Sequence, residues 1–282
     1  MVEETTMVAT HTLENVGVEE LTRVHNAGFS DYQVDVAMSE EKLQHTLTRN
    51  GYRAESSVGL FDGDTLVGFV LNGVRGNYCY DSGTTIIPEY RGNGYAHLLL
   101  KKTLSVLKGQ AIHTWVLEVL NDNAKAISLY KRIGFTQQRE VNCYQIEANT
   151  LNTEEIGITL MRQQSINIPQ GECLPSWQNE EQAIRAVGVP TWDIITEKRK
   201  IGTLCYDPES GKIAQIFMQV EERRNGYAKG AITEAAKLCK AEHLHFINID
   251  DRYHPLNKLL LHMGFQCYAT QLEMTNTLRG KA

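Results

Sequence analysis

The sequence predicts an α+β fold in two tandem copies, each a mixed, mostly antiparallel sheet flanked by helices. In the first half, strand and helix patterns follow the order strand, two helices, three strands, helix, strand, helix, strand. A glycine-rich turn at residues 91–96 recurs at 223–228, and Ile133-Gly134-Phe135 recurs as Met263-Gly264-Phe265. The offsets, 132 (223 minus 91) and 130 (263 minus 133), nearly agree, which indicates a duplicated unit.

Each element of the first half has its own signal. Ser39 provides an N-cap for the second helix, and Glu40 and Glu41 give it an acidic first turn. Asp62-Gly63-Asp64 marks a hairpin between two apolar strands. The predicted strands lie at 7–13, 57–61, 65–71, 84–87, 112–120 and 140–147, and the predicted helices at 18–27, 39–50, 95–108 and 123–133.

The second half begins with less regular sequence. Residues 163–178 contain two prolines and a glycine and predict an irregular connection, and 179–187 predict one helix before a hairpin at 201–220. We therefore place the first domain at residues 1–149 and the second at 150–282.

Composition limits the classes of function. The net charge of −6 argues against a nucleic-acid or anionic-membrane partner and suits a cationic amine substrate. The start of the chain is acidic and polar, and no apolar run approaches roughly 18 residues, so we expect a cytoplasmic protein, monomeric or homodimeric. The six cysteines form no C-x-x-C pair and are expected to be reduced thiols, with no metal bound.

The turn after Pro88 has features of a phosphate site. Pro88 ends a β-branched strand, and Gly92 and Gly94 allow backbone N–H groups to converge at the start of the next helix. Such an N-terminus attracts anions, and Arg91 adds a positive charge. An ordinary strand-to-helix connection is the alternative, since neither a Walker motif nor a complete dinucleotide fingerprint is present.

Two motifs together point to a family. Residues 91–96 fit R-x-x-G-x-A and residues 123–135 fit N-x-x-A-x-x-L-Y-x-x-x-G-F. In this order and spacing they resemble the acetyl-CoA signature of the GNAT N-acetyltransferase superfamily. The resemblance implies transfer of an acetyl group from acetyl-CoA to a primary amine of a small molecule or peptide. It implies these cofactor-binding residues: Thr84, Thr85, Ile86, Arg91, Gly92, Asn93, Gly94, Tyr95, Ala96 and Asn123.

Glu118 and Tyr130 are the candidate catalytic residues. Glu118 lies in phase with apolar residues of a predicted strand, where a carboxylate is costly unless it is paired or solvated. A salt bridge or solvent contact would also explain Glu118, and core packing would explain Tyr130. The resemblance implies that Glu118 is the general base and that Tyr130 protonates the leaving thiolate.

The second copy lacks these groups. Counting back from its glycine, Asn248 takes the place of Glu118, Leu260 that of Tyr130 and Tyr253 that of Asn123. Neither Asn248 nor Leu260 transfers a proton, so we expect a degenerate domain that supports the first.

The acceptor is less clearly encoded. The resemblance places residues 29–36 beside the acceptor, so Asp31, Tyr32 and Asp35 are candidate substrate contacts, together with Asp81. Acidic residues in loops also serve solubility, which is the alternative. Two other classes of function remain open at this point: an acyl-CoA-binding sensor without turnover, and an assembly protein that retains the fold.

Overall fold

The computed structural model describes residues 8–31, 37–151, 157–171, 174–197 and 199–278, and it forms two compact units. Unit 1 contains the chain up to Gln138 and again from Glu273, and unit 2 contains Arg139 to Leu272. This division differs from the predicted boundary after residue 149. The reason is that residues 141–147 pair antiparallel with residues 243–250, which belong to unit 2.

Unit 1 is a mixed sheet with helices. Its elements are β1 (Val8–Thr12), α1 (Val18–Gly28), α2 (Glu40–Asn50), β2 (Val58–Asp62), β3 (Thr65–Arg75), β4 (Tyr78–Ile86), α3 (Tyr95–Gly109), β5 (Thr114–Leu120) and α4 (Ala124–Ile133). The strand order is β1-β2-β3-β4-β5, and every neighbouring pair is antiparallel except β4 with β5. The predicted element order is confirmed.

The two first helices bury one apolar face against β3. Leu21 and Val24 of α1 and Leu43 and Leu47 of α2 form one cluster with Phe69 of β3. Full burial of each such side chain is worth about 1.5–3 kcal/mol. The Ser39 side chain accepts a hydrogen bond from the backbone N–H of Lys42, so the predicted cap is confirmed.

Unit 2 repeats this architecture. Its elements are β6 (Thr136–Glu147), β7 (Ile158–Arg162), α5 (Glu181–Ala186), β8 (Thr191–Thr196), β9 (Arg199–Asp207), β10 (Lys212–Met218), α6 (Tyr227–Leu238), β11 (His243–Asp250), α7 (His254–His262) and β12 (Gln266–Thr277). Strand β6 belongs to this unit from Arg139 onward, and β12 belongs to it up to Leu272. The order is β6-β11-β10-β9-β8-β7, and β10 pairs parallel with β11. The strands β7 and β8 were not predicted from the sequence, which indicated only one helix before the hairpin of the second half.

In the described part of the chain, no helix combines the length and apolar character needed to cross a membrane.

Close backbone packing at Gly73 of β3 positions the end of α2. A Cβ at Gly73 would lie 2.0 Å from the backbone oxygen of Asn50, and that oxygen cannot rotate away. The Asn50 side chain in turn donates from Nδ2 to Ser82 Oγ of β4 at 2.7 Å. The absence of a side chain at Gly73 therefore allows the end of α2 to pack closely against the sheet.

We expect Gly73→Ala to lower the free energy of unfolding by about 1–3 kcal/mol, because overpacking against backbone cannot relax. Gly17→Ala is the matched control, since a Cβ there meets no atom within 4 Å and its φ is −76°. Urea denaturation followed by fluorescence measures both variants. Equal stability of the two variants would contradict the packing argument.

Candidate functional site

The site lies where β4 separates from β5. Parallel pairing joins Tyr78 to Thr114, Cys79 to Trp115 and Tyr80 to Val116, and among the described residues it goes no further. Beyond this point β4 stays paired with β3 alone, through a register shift that leaves Ser82 as an extra residue. The predicted cofactor-binding residues Thr84, Thr85 and Ile86 lie on this diverging segment, which presents one backbone edge to the gap.

The turn after β4 has the predicted backbone geometry. Gly92 and Gly94 have φ of +84° and +78°, a region in which side chains are rarely accommodated. Gly94 is the N-cap of α3 and no side chain caps this terminus within the described chain. The first turn of α3, which includes Tyr95 and Ala96, therefore presents backbone N–H donors at a helix N-terminus.

Arg91 is an anchor for this turn. Its Nε donates to the Ile86 oxygen at 2.8 Å, its Nη2 to the Gly28 oxygen at 2.6 Å and its Nη1 to Asp31 Oδ2 at 2.6 Å. The hydrogen bond from Arg91 lowers the pKa of Asp31. A predicted phosphate contact and a predicted acceptor contact are thus paired with each other.

The other two predicted acceptor contacts, Tyr32 and Asp35, lie outside the described residues.

Glu118 lies on the half-buried face of β5 beside the gap. The Tyr80 hydroxyl donates to Glu118 Oε2 at 2.5 Å. Arg49, at the end of α2, is close enough to interact electrostatically with both: burial lowers the pKa of Arg49, and the attraction of Tyr80 and Glu118 opposes that effect. The carboxylate therefore has a hydrogen-bond donor and a cation in its surroundings.

Tyr130 is buried in α4 and points its hydroxyl at Asp81. The hydroxyl donates to Asp81 Oδ2 at 3.4 Å, and the same carboxyl accepts from Thr84 Oγ1 at 2.6 Å and from the Gly83 N–H at 3.0 Å. Asp81 is 6% exposed. Burial raises the pKa of Asp81 to about 6, although these hydrogen bonds oppose the shift.

Tyr80 and Asp81 are consecutive, so two adjacent residues of β4 hold the two candidate catalytic side chains. From the sequence, Asp81 was predicted only as an amine contact. An aspartate two positions before Gly83 and three before Thr84 was the available signal for this network, because such side chains hydrogen-bond nearby residues.

Asn123 is the N-cap of α4. Its Oδ1 accepts a hydrogen bond from the Ala126 N–H at 3.1 Å, so its carbonyl is engaged in capping. Tyr253 occupies the corresponding place before α7 with almost the same backbone angles, φ −81° against −80°, and its side chain makes no cap.

The corresponding positions of unit 2 have lost their ionisable groups. Asn248 lies on β11 with φ of +56°, and Leu260 is fully buried in α7. The turn nevertheless keeps its shape: Arg224 and Gly226 have φ of +68° and +80°.

Comparison with known families agrees with these observations. Residues 19–135 match the model of the acetyltransferase (GNAT) family. The chain is 33% identical over 98 residues to N-alpha-acetyltransferase 30 of Schizosaccharomyces pombe, covering 32% of this chain and 63% of that one. It is 30% identical over 92 residues to the [ribosomal protein bS18]-alanine N-acetyltransferase of Haemophilus influenzae, covering 33% and 62%. The chain thus spans less than two thirds of the length of these relatives.

Both units resemble one solved structure. A tandem GNAT protein from the clavulanic acid biosynthesis pathway matches 98% of this chain and 100% of its own, with a TM-score of 0.70 and 12% identity. At this identity the likeness concerns the fold, and it extends over the duplicated architecture.

The raised pKa of Asp81 predicts a pH-dependent stability. Because the folded-state pKa of about 6 exceeds the ordinary value of 3.8 for an aspartate, the native state holds this proton more tightly, so the associated stability is full below pH 4 and is lost as the pH rises through 6. We expect the stability of Asp81→Asn relative to the parent protein to increase between pH 4 and 7 by about 2 kcal/mol. Urea denaturation across this range measures it.

Asp122→Asn, an exposed substitution, controls for the loss of one formal charge. If the free energies of unfolding of Asp81→Asn and the parent protein changed in parallel with pH, titration of Asp81 would not be the cause of the pH dependence.

Proposed function

We propose that unit 1, whose residues 19–135 match the acetyltransferase (GNAT) family, moves an acetyl group from acetyl-CoA to a primary amine by direct attack. The observation that supports this most is the arrangement at the separation of β4 and β5. There, Glu118 of β5 accepts a hydrogen bond from Tyr80, and Tyr130 of α4 donates one to Asp81. Tyr80 and Asp81 are neighbours on β4.

The proposed cosubstrate site uses the backbone more than the side chains. The N-terminus of α3, without a side-chain cap in the described chain, would bind the diphosphate, and the free edge of residues 81–86 would pair with the pantetheine arm as an added strand. A Cβ at Gly92 or Gly94 would meet no protein atom within 4 Å, which leaves room beside the turn. Arg91 would act indirectly by anchoring the turn.

Glu118 would remove a proton from the acceptor. An alkylammonium group with a pKa near 10.4 is free amine in only about one molecule in a thousand at neutral pH, and an α-amino group with a pKa near 8 in about one in ten. A carboxylate at the cleft, acting directly or through one water, increases the reactive fraction. The hydrogen bond from Tyr80 and the nearby Arg49 place a donor and a cation beside the Glu118 carboxylate.

Tyr130 would complete the exchange at the thioester. As the amine nitrogen bonds to the acetyl carbon, the carbon–sulfur bond breaks and the thiolate takes the hydroxyl proton of Tyr130. Asp81 is a positioning residue in this proposal, because its carboxyl accepts the hydrogen bond that orients that hydroxyl. Above pH 6 a charged Asp81 also favours return of the proton to Tyr130.

Unit 2 is proposed to be a degenerate domain. Asn248 and Leu260 supply neither a base nor an acid at the positions of Glu118 and Tyr130. Catalysis is therefore assigned to unit 1, and unit 2 is assigned a supporting or binding role.

The acceptor is proposed to be a primary amine on a peptide or small molecule. The names of two relatives specify N-alpha and alanine acetylation, which supports testing peptide N-termini first. Asp31 is accessible, with 63% of its side chain exposed, but Arg91 neutralises its charge and weakens its attraction for an ammonium group. The proposed acceptor contacts remain Asp31, Tyr32 and Asp35.

Free-thiol release from acetyl-CoA, measured against peptide N-termini, amino acids, polyamines and aminoglycosides, tests the proposal. With the best acceptor, we expect Glu118→Gln to lower kcat/KM by roughly 100-fold, because the amide accepts no proton. Glu55→Gln removes an exposed carboxylate outside the site and should preserve the rate. If acetyl-CoA binds but no tested amine leads to release of free thiol, the enzymatic proposal is rejected and the acyl-CoA-binding sensor is favoured.

We expect Tyr130→Phe to lower kcat about 10- to 100-fold with little change in the KM for acetyl-CoA, since the phenyl ring keeps its packing against Phe135 while the proton is lost. Tyr78→Phe on the exposed start of β4 is the matched control and should retain full kcat. Steady-state kinetics with both substrates varied separates the two constants. An unchanged kcat in Tyr130→Phe would remove Tyr130 from the mechanism.

A further inference from the structure

Unit 1 includes the last described residues of the chain. It resumes at Glu273, and this end of β12 lies next to β5 in the sheet. The Leu278 N–H donates to the oxygen of His113, the residue just before β5, at 2.8 Å. The end of the chain is therefore part of the unit that carries Glu118 and Tyr130, although unit 2 precedes it in sequence.

Asn276 of this segment contacts the end of α4. Its side chain is buried, and its Nδ2 donates to the Ile133 oxygen at 3.0 Å. Ile133 is the last residue of α4, and the last carbonyl groups of a helix have no partner within the helix. Gly134 follows with φ of +106°, and a Cβ there would lie 3.3 Å from Asn276 Nδ2. The amide therefore packs directly against the last turn of the helix.

The same helix end determines where Tyr130 lies. The Phe135 N–H donates to the Tyr130 oxygen at 3.1 Å, and the Gly134 N–H is directed at the same oxygen. The Phe135 ring also meets the Tyr130 ring edge-on, with the ring centroids 5.5 Å apart. A shift of the backbone at Ile133 would therefore be transmitted to Tyr130.

The contact of the Tyr130 hydroxyl is sensitive to such a shift. The hydroxyl lies 3.4 Å from Asp81 Oδ2, whereas hydrogen bonds between two oxygens are usually about 2.5–3.0 Å long. A slight movement of α4 away from β4 would break this long hydrogen bond. The orientation of the hydroxyl thus depends on how the end of α4 is held.

The position of unit 2 that corresponds to Asn276 is Ile146. The Ala148 N–H donates to the oxygen of the residue just before β11 at 2.9 Å, which is the contact that Leu278 makes before β5. Ile146 and Asn276 each lie two positions before these donors. A Cβ at Gly264, at the end of α7, would also have Ile146 Cδ1 as a neighbour, at 3.6 Å.

Unit 2 forms the corresponding helix end without an amide. An isoleucine side chain has no hydrogen-bond donor, yet Gly264 has φ of +92° and the Phe265 N–H donates to the Leu260 oxygen at 3.0 Å. The turn itself therefore does not require an amide beside it. The amide is present where the helix carries Tyr130 and absent where the helix carries Leu260.

We infer that Asn276 is a positioning residue for Tyr130. By holding the last turn of α4, it keeps the Tyr130 hydroxyl directed at Asp81 beside the gap. The inference rests on the proposed function, because it takes Tyr130 to be the group that protonates the thiolate. It makes the end of the chain a requirement for fast transfer in unit 1.

Steady-state kinetics and thermal melting of the full chain test the inference, with the acceptor that gives the fastest thiol release. We expect Asn276→Ala to lower kcat roughly tenfold, and no more than Tyr130→Phe does, with the KM for acetyl-CoA unchanged, because a misplaced acid slows the chemical step without weakening binding. Asn142→Ala is the matched control. This amide of β6 lies in unit 2, where it donates to Asn257 Oδ1 at 3.3 Å and accepts from Thr270 Oγ1 at 2.9 Å. The control should keep its kcat even if its melting temperature falls.

A double-mutant cycle separates positioning from a general structural role. In a Tyr130→Phe background, Asn276→Ala should cause no further loss of kcat, because the hydroxyl that Asn276 positions is gone. Equal losses in both backgrounds would overturn the inference, and so would an unchanged kcat in Asn276→Ala. Asn276→Ile installs the residue of unit 2 and should lower kcat by a similar factor, so it decides the question even where Asn276→Ala fails to fold.

Failure of this inference is distinguishable from failure of the proposed function. If Tyr130→Phe leaves kcat unchanged, or if no acceptor releases thiol, the proposed function is rejected in that respect and the role of Asn276 with it. If Tyr130→Phe lowers kcat whereas both Asn276 variants retain it, only the inference about Asn276 is rejected.

Discussion

The end of parallel pairing at Tyr80 is the constraint on which the candidate site depends. While β4 and β5 remain hydrogen-bonded, their backbone groups are satisfied and no ligand can enter between them. The extra residue Ser82 shifts the register of β4 against β3, and from there one backbone edge of β4 faces the gap. Because backbone donors and acceptors need partners, such an edge is suited to an extended ligand. The side chains that would act on that ligand lie at the same place.

The polar groups around the gap stabilise one another. Asp81 is buried, which alone would be costly, but three donors share its carboxyl and one of them is the Tyr130 hydroxyl. The Oε2 atom of Glu118 accepts a hydrogen bond from the Tyr80 hydroxyl. Since Tyr80 and Asp81 are consecutive, the position of β4 sets both candidate catalytic groups at once. The end of α2 packs closely against Gly73, and Asn50 at that end hydrogen-bonds Ser82 of β4. Gly73 has no reactive side chain, but it thereby contributes to the position of β4.

Local patterns in the sequence predicted most of the fold, and long-range contacts explain what they missed. Periodicity and capping located the helices and the strands of the core, because burial of one face selects those patterns. The strands β7 and β8 escaped detection since they are short and largely half-exposed, which weakens alternation. The partners of Arg91 were also unpredictable: Gly28 and Asp31 lie 63 and 60 positions away in sequence. Nothing local indicated that Asn276 would contact the end of α4.

The two turns show which features of the site are specific. Gly92 adopts its left-handed conformation without strain, whereas Arg224 adopts nearly the same φ at a cost of about 1–2 kcal/mol. Unit 2 thus keeps the turn although it has lost the carboxylate and the phenol, so the turn conformation follows from the junction of strand and helix and does not require the chemistry. The two units differ in the side chains that lie between or beside their diverging parallel strands. In unit 2, Asn179 hydrogen-bonds both β10 and β11, whereas in unit 1 Glu118 and Tyr130 lie beside the gap. Assignment of chemistry to unit 1 therefore depends on those side chains and not on the glycine-rich turn that first drew attention to the sequence.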